Sequence, residues 1–150
     1  MTCGLLIFSI IHFHLNFDNF HNNTDRIYRF VTEQHRDQVS YVGSVPPAFG
    51  STFRNDYTFG EKVARLCTLT EQQVTVEGSG NPKKFKEDVA FAEPEFFEIF
   101  NFPLVEGLQA TALTEPNTAI ITKRIAKKYF GDESPLNKTF RFNSSIDFKI

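Results

Sequence analysis

The run Cys3 to Leu15, CGLLIFSIIHFHL, is apolar apart from Ser9, His12 and His14, and it limits the fold more than any other stretch. A helix that crosses a bilayer needs about 20 such residues, and this run is shorter. A secretory signal carries basic residues ahead of the apolar run and small residues at a cleavage site behind it; neither is present. Three readings are open: a buried core segment, a helix lying in a membrane interface, or the outer end of a spanning helix. In the NFDNFHNNTD that follows, Phe17, Phe20 and His21 share a helical face by i, i+3, i+4 spacing. Asn22, Asn23 and Thr24 then favour a turn, because their short polar side chains bond nearby backbone.

Beyond the turn, RIYRFVTE alternates, with Tyr28 and Phe30 on one face and Ile27, Arg29 and Val31 on the other, and predicts a strand from Arg26. SVPPAFGSTFRNDY predicts a short helix with Pro47 in its first turn, Phe49 and Phe53 packed inward, and Gly50 weakening it. KVARLCTLT and QQVTVEG predict two strands, GSGNP a turn, and Val89 to Ala92 another strand. EPEFFEIF predicts a helix opened by Pro94, with Phe96, Phe97 and Phe100 on its apolar side. NFPLVEG is a short extended piece ended by Gly107. Thr118 to Thr122 predicts a strand. Lys123 to Phe130 predicts a helix with Thr122 as N-cap, Gly131 as stop, and Ile125, Tyr129 and Phe130 facing inward. KTFRFNSSIDFKI predicts a hairpin turning at Asn143 to Ser145. Strands and helices alternate irregularly with hairpin links, so the predicted class is α+β, with a mixed or antiparallel sheet and short packed helices.

With 150 residues the chain can bury one real core. Eighteen Phe and no Trp point to a core packed by rings without polar atoms. A net charge of -2 argues against nucleic acid, since phosphate affinity needs clustered Lys and Arg. Cys3 and Cys67 are no disulfide framework and are expected to be buried free thiols. On a strand His12 and His14 would share a face, yet no carboxylate or Cys cluster completes a metal site. His21 and His35 stand alone. Glu95 and Glu98, and the group Lys123, Arg124, Lys127 and Lys128, read as solvated helix faces. No phosphate-binding glycine loop, zinc-binding H-E-x-x-H or G-x-S-x-G elbow is present. No catalytic group, cofactor or metal is expected.

Three blocks in register, FDNFHNNTDRIYRF, AFAEPEFFEIFNFPLVEG and ALTEPNTAIITKRIAKKYFGDESPLNKTFRF, resemble the MacB-like periplasmic core domain of ABC transporter permeases of the FtsX-like family, of the type typical of Bacteroidetes. The resemblance runs from about Gly4 to Ile150 and weakens between Gln34 and Pro46. It departs from the family pattern at Asn137, where Gly is usual, and at Glu93, where Asp is usual. Asn is the next best residue for a left-handed turn; Glu is a poorer N-cap than Asp.

The resemblance implies that residues 1–20 are the end of a transmembrane or stalk helix. Residues 21–150 would be an extracytoplasmic core domain, incomplete at its C-terminus and on the periplasmic side of the inner membrane. It also implies no catalysis in the domain, a homodimer of the permease, a separate ATP-binding subunit and a periplasmic adaptor as further partner. Phe17 and Phe20 are the candidates for coupling stalk to domain. The alternative is a stand-alone periplasmic ligand- or peptide-binding module, which needs a deep pocket with convergent polar groups. An enzyme would need a cleft of perturbed titratable groups.

Overall fold

The chain divides into two units in the computed structural model, which describes residues 2–16, 20–78 and 80–150, with side chains for all of these except 2, 3 and 110. The first unit comprises Met1–Val63 and Glu98–Phe102, the second Ala64–Phe97 and Pro103–Ile150. All strand pairings between named strands are antiparallel, so the α+β class holds.

In the first unit, helix α1 (Thr2–Leu15) is followed by a 3-10 turn at Thr24–Arg26. Strand β1 (Thr32–His35) pairs with β2 (Val39–Val42), Thr32 lying opposite Val42. Helix α2 (Phe49–Asp56) follows. The strand expected from Arg26 begins only at Thr32. Alternation decides which way side chains point, but a ladder also needs a partner backbone. Here β2 reaches no further than Val42, and side chains bridge beyond it. Arg29 Nη2 donates to the Gly43 carbonyl at 2.8 Å, and Thr32 Oγ1 to that of Ser44 at 2.7 Å. A two-stranded hairpin alone is marginal in water. Its support is Phe30, whose ring lies 5.0 Å from Phe49 and 4.8 Å from Phe53. Helix α2 starts two residues after Pro47, with the Pro46 carbonyl accepting the Phe49 N–H. Phe49 and Phe53 pack inward as expected. Phe53 is the hub, with Phe49, Tyr57 and Phe59 all within 6 Å of its ring centre. Gly60 lies under that ring: a Cβ there would stand 2.9 Å from Phe53 Cε1.

The second unit holds β3 (Leu66–Val76), β4 (Lys83–Ala92), α3 (Glu95–Ile99, whose last two residues fall in the first unit), a 3-10 turn (Gln109–Thr111), α4 (Lys123–Phe130), β5 (Thr139–Phe142) and β6 (Ile146–Lys149). The sheet runs β4-β3-β5-β6. The two strands expected within Lys62 to Gly78 are one strand with a bulge between Leu69 and Gln72. Glu71 takes φ 54 there, and its N–H donates to Asp88 Oδ1 at 3.0 Å. The bulge absorbs the irregularity that reads as a break in the sequence. Strand β4 likewise begins at Lys83, well before Val89. The expected strand Thr118 to Thr122 makes only one bridge, parallel, between Thr118 and Lys149.

Glu93 spends its side chain on Arg65. Its carboxylate accepts the Arg65 N–H at 2.9 Å and the guanidinium Nε at 2.7 Å, closing the end of the β3–β4 ladder. Asn137 does take the left-handed turn, with φ 63. Asn143 and Ser144, at φ 47 and 59, make the β5–β6 turn with the doubly left-handed backbone that suits a tight hairpin. Cys67 is exposed, against the expectation of burial, because β3 is covered only toward its other end, at Val74 and Val76.

Helix α4 lies where the sequence puts it. Thr122 Oγ1 accepts the Ile125 N–H at 3.3 Å, and Gly131 turns the chain away at φ 68. Its Tyr129 joins Val74 and Val76 in the core, with Phe85, Ile125, Phe130 and Phe140 around them. Thr122→Ala should therefore cost about 1 kcal/mol, read as a lower urea midpoint with an unchanged slope. No change in midpoint would mean that packing alone holds the start of α4.

Candidate functional site

The site of interest is the base of the N-terminal helix. Helix α1 contains no proline and no charged residue. Ser9 Oγ donates back to the Leu5 carbonyl at 2.8 Å, hiding its polarity within the helix. Asn16 ends it, its N–H and its side-chain amide both donating to the His12 carbonyl, at 3.1 and 2.8 Å. His12 and His14 therefore sit on a helix, about 200° apart around its axis, and do not share the face that a strand would have given them. Every described side chain of α1 from Gly4 to Leu15 is exposed, Leu5 at 67% and Leu15 at 73%. Its 14 residues rise about 21 Å, and no helix among the described residues is long and apolar enough to cross a membrane.

Six residues past α1, the chain is fastened. His21 is buried, 7% exposed. Its Nδ1 accepts the backbone N–H of Asn101 at 3.2 Å, and Asn101 Oδ1 accepts the backbone N–H of Asn22 at 3.0 Å. Each segment thus both gives and takes a hydrogen bond. Rings close around the imidazole: Phe20 at 3.9 Å between centroids, Phe102 at 5.0 Å and Phe100 at 5.2 Å. Phe20 also meets Phe102 at 5.6 Å. Ion pairs flank the contact, Arg26 to Glu61 at 2.8 Å and Lys62 to Glu98 at 2.5 Å. They are exposed and add little energy.

Of the two coupling residues expected from sequence, Phe17 lies outside the described residues. Phe20 is brought to the anchor, half exposed, on the imidazole and on Phe102. The helical face that was to join Phe20 to His21 does not form, since α1 ends at Leu15 and residues 20–23 are turn. His21, Asn101 and Phe102 were missed. Their partnership spans 80 positions, and no local pattern announces it. No group of three His, Cys, Asp or Glu side chains that could hold a metal ion occurs among the described residues.

The family model of the MacB-like periplasmic core domain matches residues 1–150. The chain belongs to that family. The MacB-like core domain is a periplasmic domain of ABC-type permeases. The fold of this one is similar to the crystal structure of a domain of a protein named as a permease from Porphyromonas gingivalis, with a TM-score of 0.58 at 22% identity. The match covers 80% of this chain and 51% of that one, so this MacB-like domain spans about half the length of that structure. Among curated proteins none matches.

Proposed function

We propose that this MacB-like domain is a non-catalytic extracytoplasmic body that passes movement of a membrane helix to a substrate or partner protein outside an inner membrane. The observation that carries the reading is α1, which holds no Asp, Glu, Lys or Arg and is exposed from Gly4 to Leu15, and which is followed in the chain by the anchor of Phe20 and His21 on Asn101 and Phe102. So much exposed apolar surface on one helix belongs in apolar surroundings, and here those are the lipid at the outer end of a spanning helix. Residues 1–20 act as stalk and residues 21–150 as the body. The permease is of the FtsX-like type, works as a homodimer with a separate ATP-binding subunit, and meets a periplasmic adaptor. ATP hydrolysis moves the stalk, and the clasp of His21 and Asn22 on Asn101 turns that movement into a rigid-body shift.

The test is Phe17→Ala with Phe20→Ala in a permease carrying this domain. ATP hydrolysis should continue while export falls about 5-fold or more, the range of an ordinary coupling energy between sites. Export at the unaltered rate per ATP would sink the reading.

A further inference from the structure

His21 is the only buried polar or charged side chain among the described residues, and histidine is the residue type whose ordinary change of charge falls between about pH 5 and pH 8. Accepting the Asn101 N–H at Nδ1 requires the neutral ring with its proton on Nε2. Once protonated, an imidazole carries N–H on both nitrogens and accepts from neither. Two N–H groups then face each other across a contact of 3.2 Å. The part-buried Asn101 N–H is left without its acceptor beside the rings that surround the imidazole, and a donor stranded away from water costs stability. Among the described residues, the groups seen to face the imidazole are Phe20, Phe100, Phe102 and the Asn101 backbone, none of them charged. Of the ionisable residues on the two segments, Arg26 is bound to Glu61 and Glu98 to Lys62; Asp25 lies exposed in the 3-10 turn.

We infer that His21 is a proton-operated latch. It is closed while the ring is neutral, and it opens on protonation, loosening the hold of the Phe100–Phe102 segment on the base of the N-terminal helix. Acidification would thereby slacken the clasp. Its meaning for transport rests on the coupling reading; the latch itself is a property of this chain and is tested on it alone.

The experiment is amide hydrogen exchange by NMR on the 150-residue chain in detergent micelles at pH 8 and pH 5, corrected for the intrinsic rate at each pH. Protection of the Asn101 amide is expected to fall about tenfold at pH 5, the scale of one ordinary hydrogen bond, while amides of β3 keep theirs. His21→Asn supplies an acceptor oxygen that takes no proton in this range, so protection at Asn101 should no longer depend on pH. His12, His14 and His35 are the chain's other imidazoles, and this variant separates their effects from that of His21. Should His21→Asn not fold, the unaltered chain still decides: the His21 ring and the Asn101 amide must titrate with one midpoint. Equal protection at both pH values overturns the latch, as do separate midpoints or a pH-dependent loss that survives in His21→Asn. Export by the Phe17/Phe20 variant is a different measurement on a different protein, so either idea can fail alone.

Discussion

Phe53→Ala should remove about 3–5 kcal/mol of folding stability, a large part of the 5–15 kcal/mol or so that holds an ordinary domain. The reason is concentration. In the first unit only His21, Gly50 and Phe53 are buried among the described residues, and Phe53 alone of these brings a large apolar side chain. Phe30, Phe49, Tyr57 and Phe59 all take one face of their packing from it. Gly60 is already pressed against the ring, so backbone as well as side chains shape the hole that alanine would leave. Urea unfolding followed by far-ultraviolet circular dichroism measures the loss. Phe53→Leu, which keeps most of the volume, should cost clearly less. A loss below about 0.5 kcal/mol is what a surface site gives and would show that the ring cluster holds nothing together.

Tyr129→Ala should cost a similar amount, about 3–5 kcal/mol, and Tyr129→Phe only about 0.5–1.5 kcal/mol. The ring stacks on Phe85 at 4.8 Å and closes the core over Val74, which is 1% exposed. The hydroxyl has a lesser part. Burial and the Glu87 carboxylate beside it push the phenol well above the ordinary tyrosine range, so it stays neutral at any pH used for unfolding. Glu87 is itself held by Lys128 at 2.6 Å. Comparing the two variants in the same urea titration separates ring from hydroxyl. Equal losses would place the stability in the polar contact and overturn the packing account.

Local chemistry was legible in the sequence, and long-range partnership was not. Helix α4 is read correctly from end to end because cap, stop and inward face all lie within ten residues, from Thr122 to Gly131. The β5–β6 hairpin is equally self-contained, its Asn143 and Ser144 supplying the turn. Arg26 to Val31 misleads because its alternation is real while its ladder partner is missing; Tyr28, 81% exposed, faces water. Strand β2 was missed because Val39–Val42 is short and has only β1 for a neighbour. The bulge at Glu71 looks like a gap between strands until Asp88, 17 residues on, is seen to take its N–H. At the anchor, Phe20 could be picked by its position beside the stalk. His21 read as a solitary polar residue, since its acceptor role exists only once Asn101 arrives.

Strand β4 runs ten residues along one rim of the sheet, and among the described residues its outer side has no partner. Lys83, Lys84 and Lys86 crowd its first half, so a second copy of β4 laid there in parallel and in register would set ammonium against ammonium. Val89 to Ala92 carry no charge. The stretch most open to unwanted stacking between molecules is thus four residues long, and a single lysine in place of Val89 or Phe91 would shorten it further.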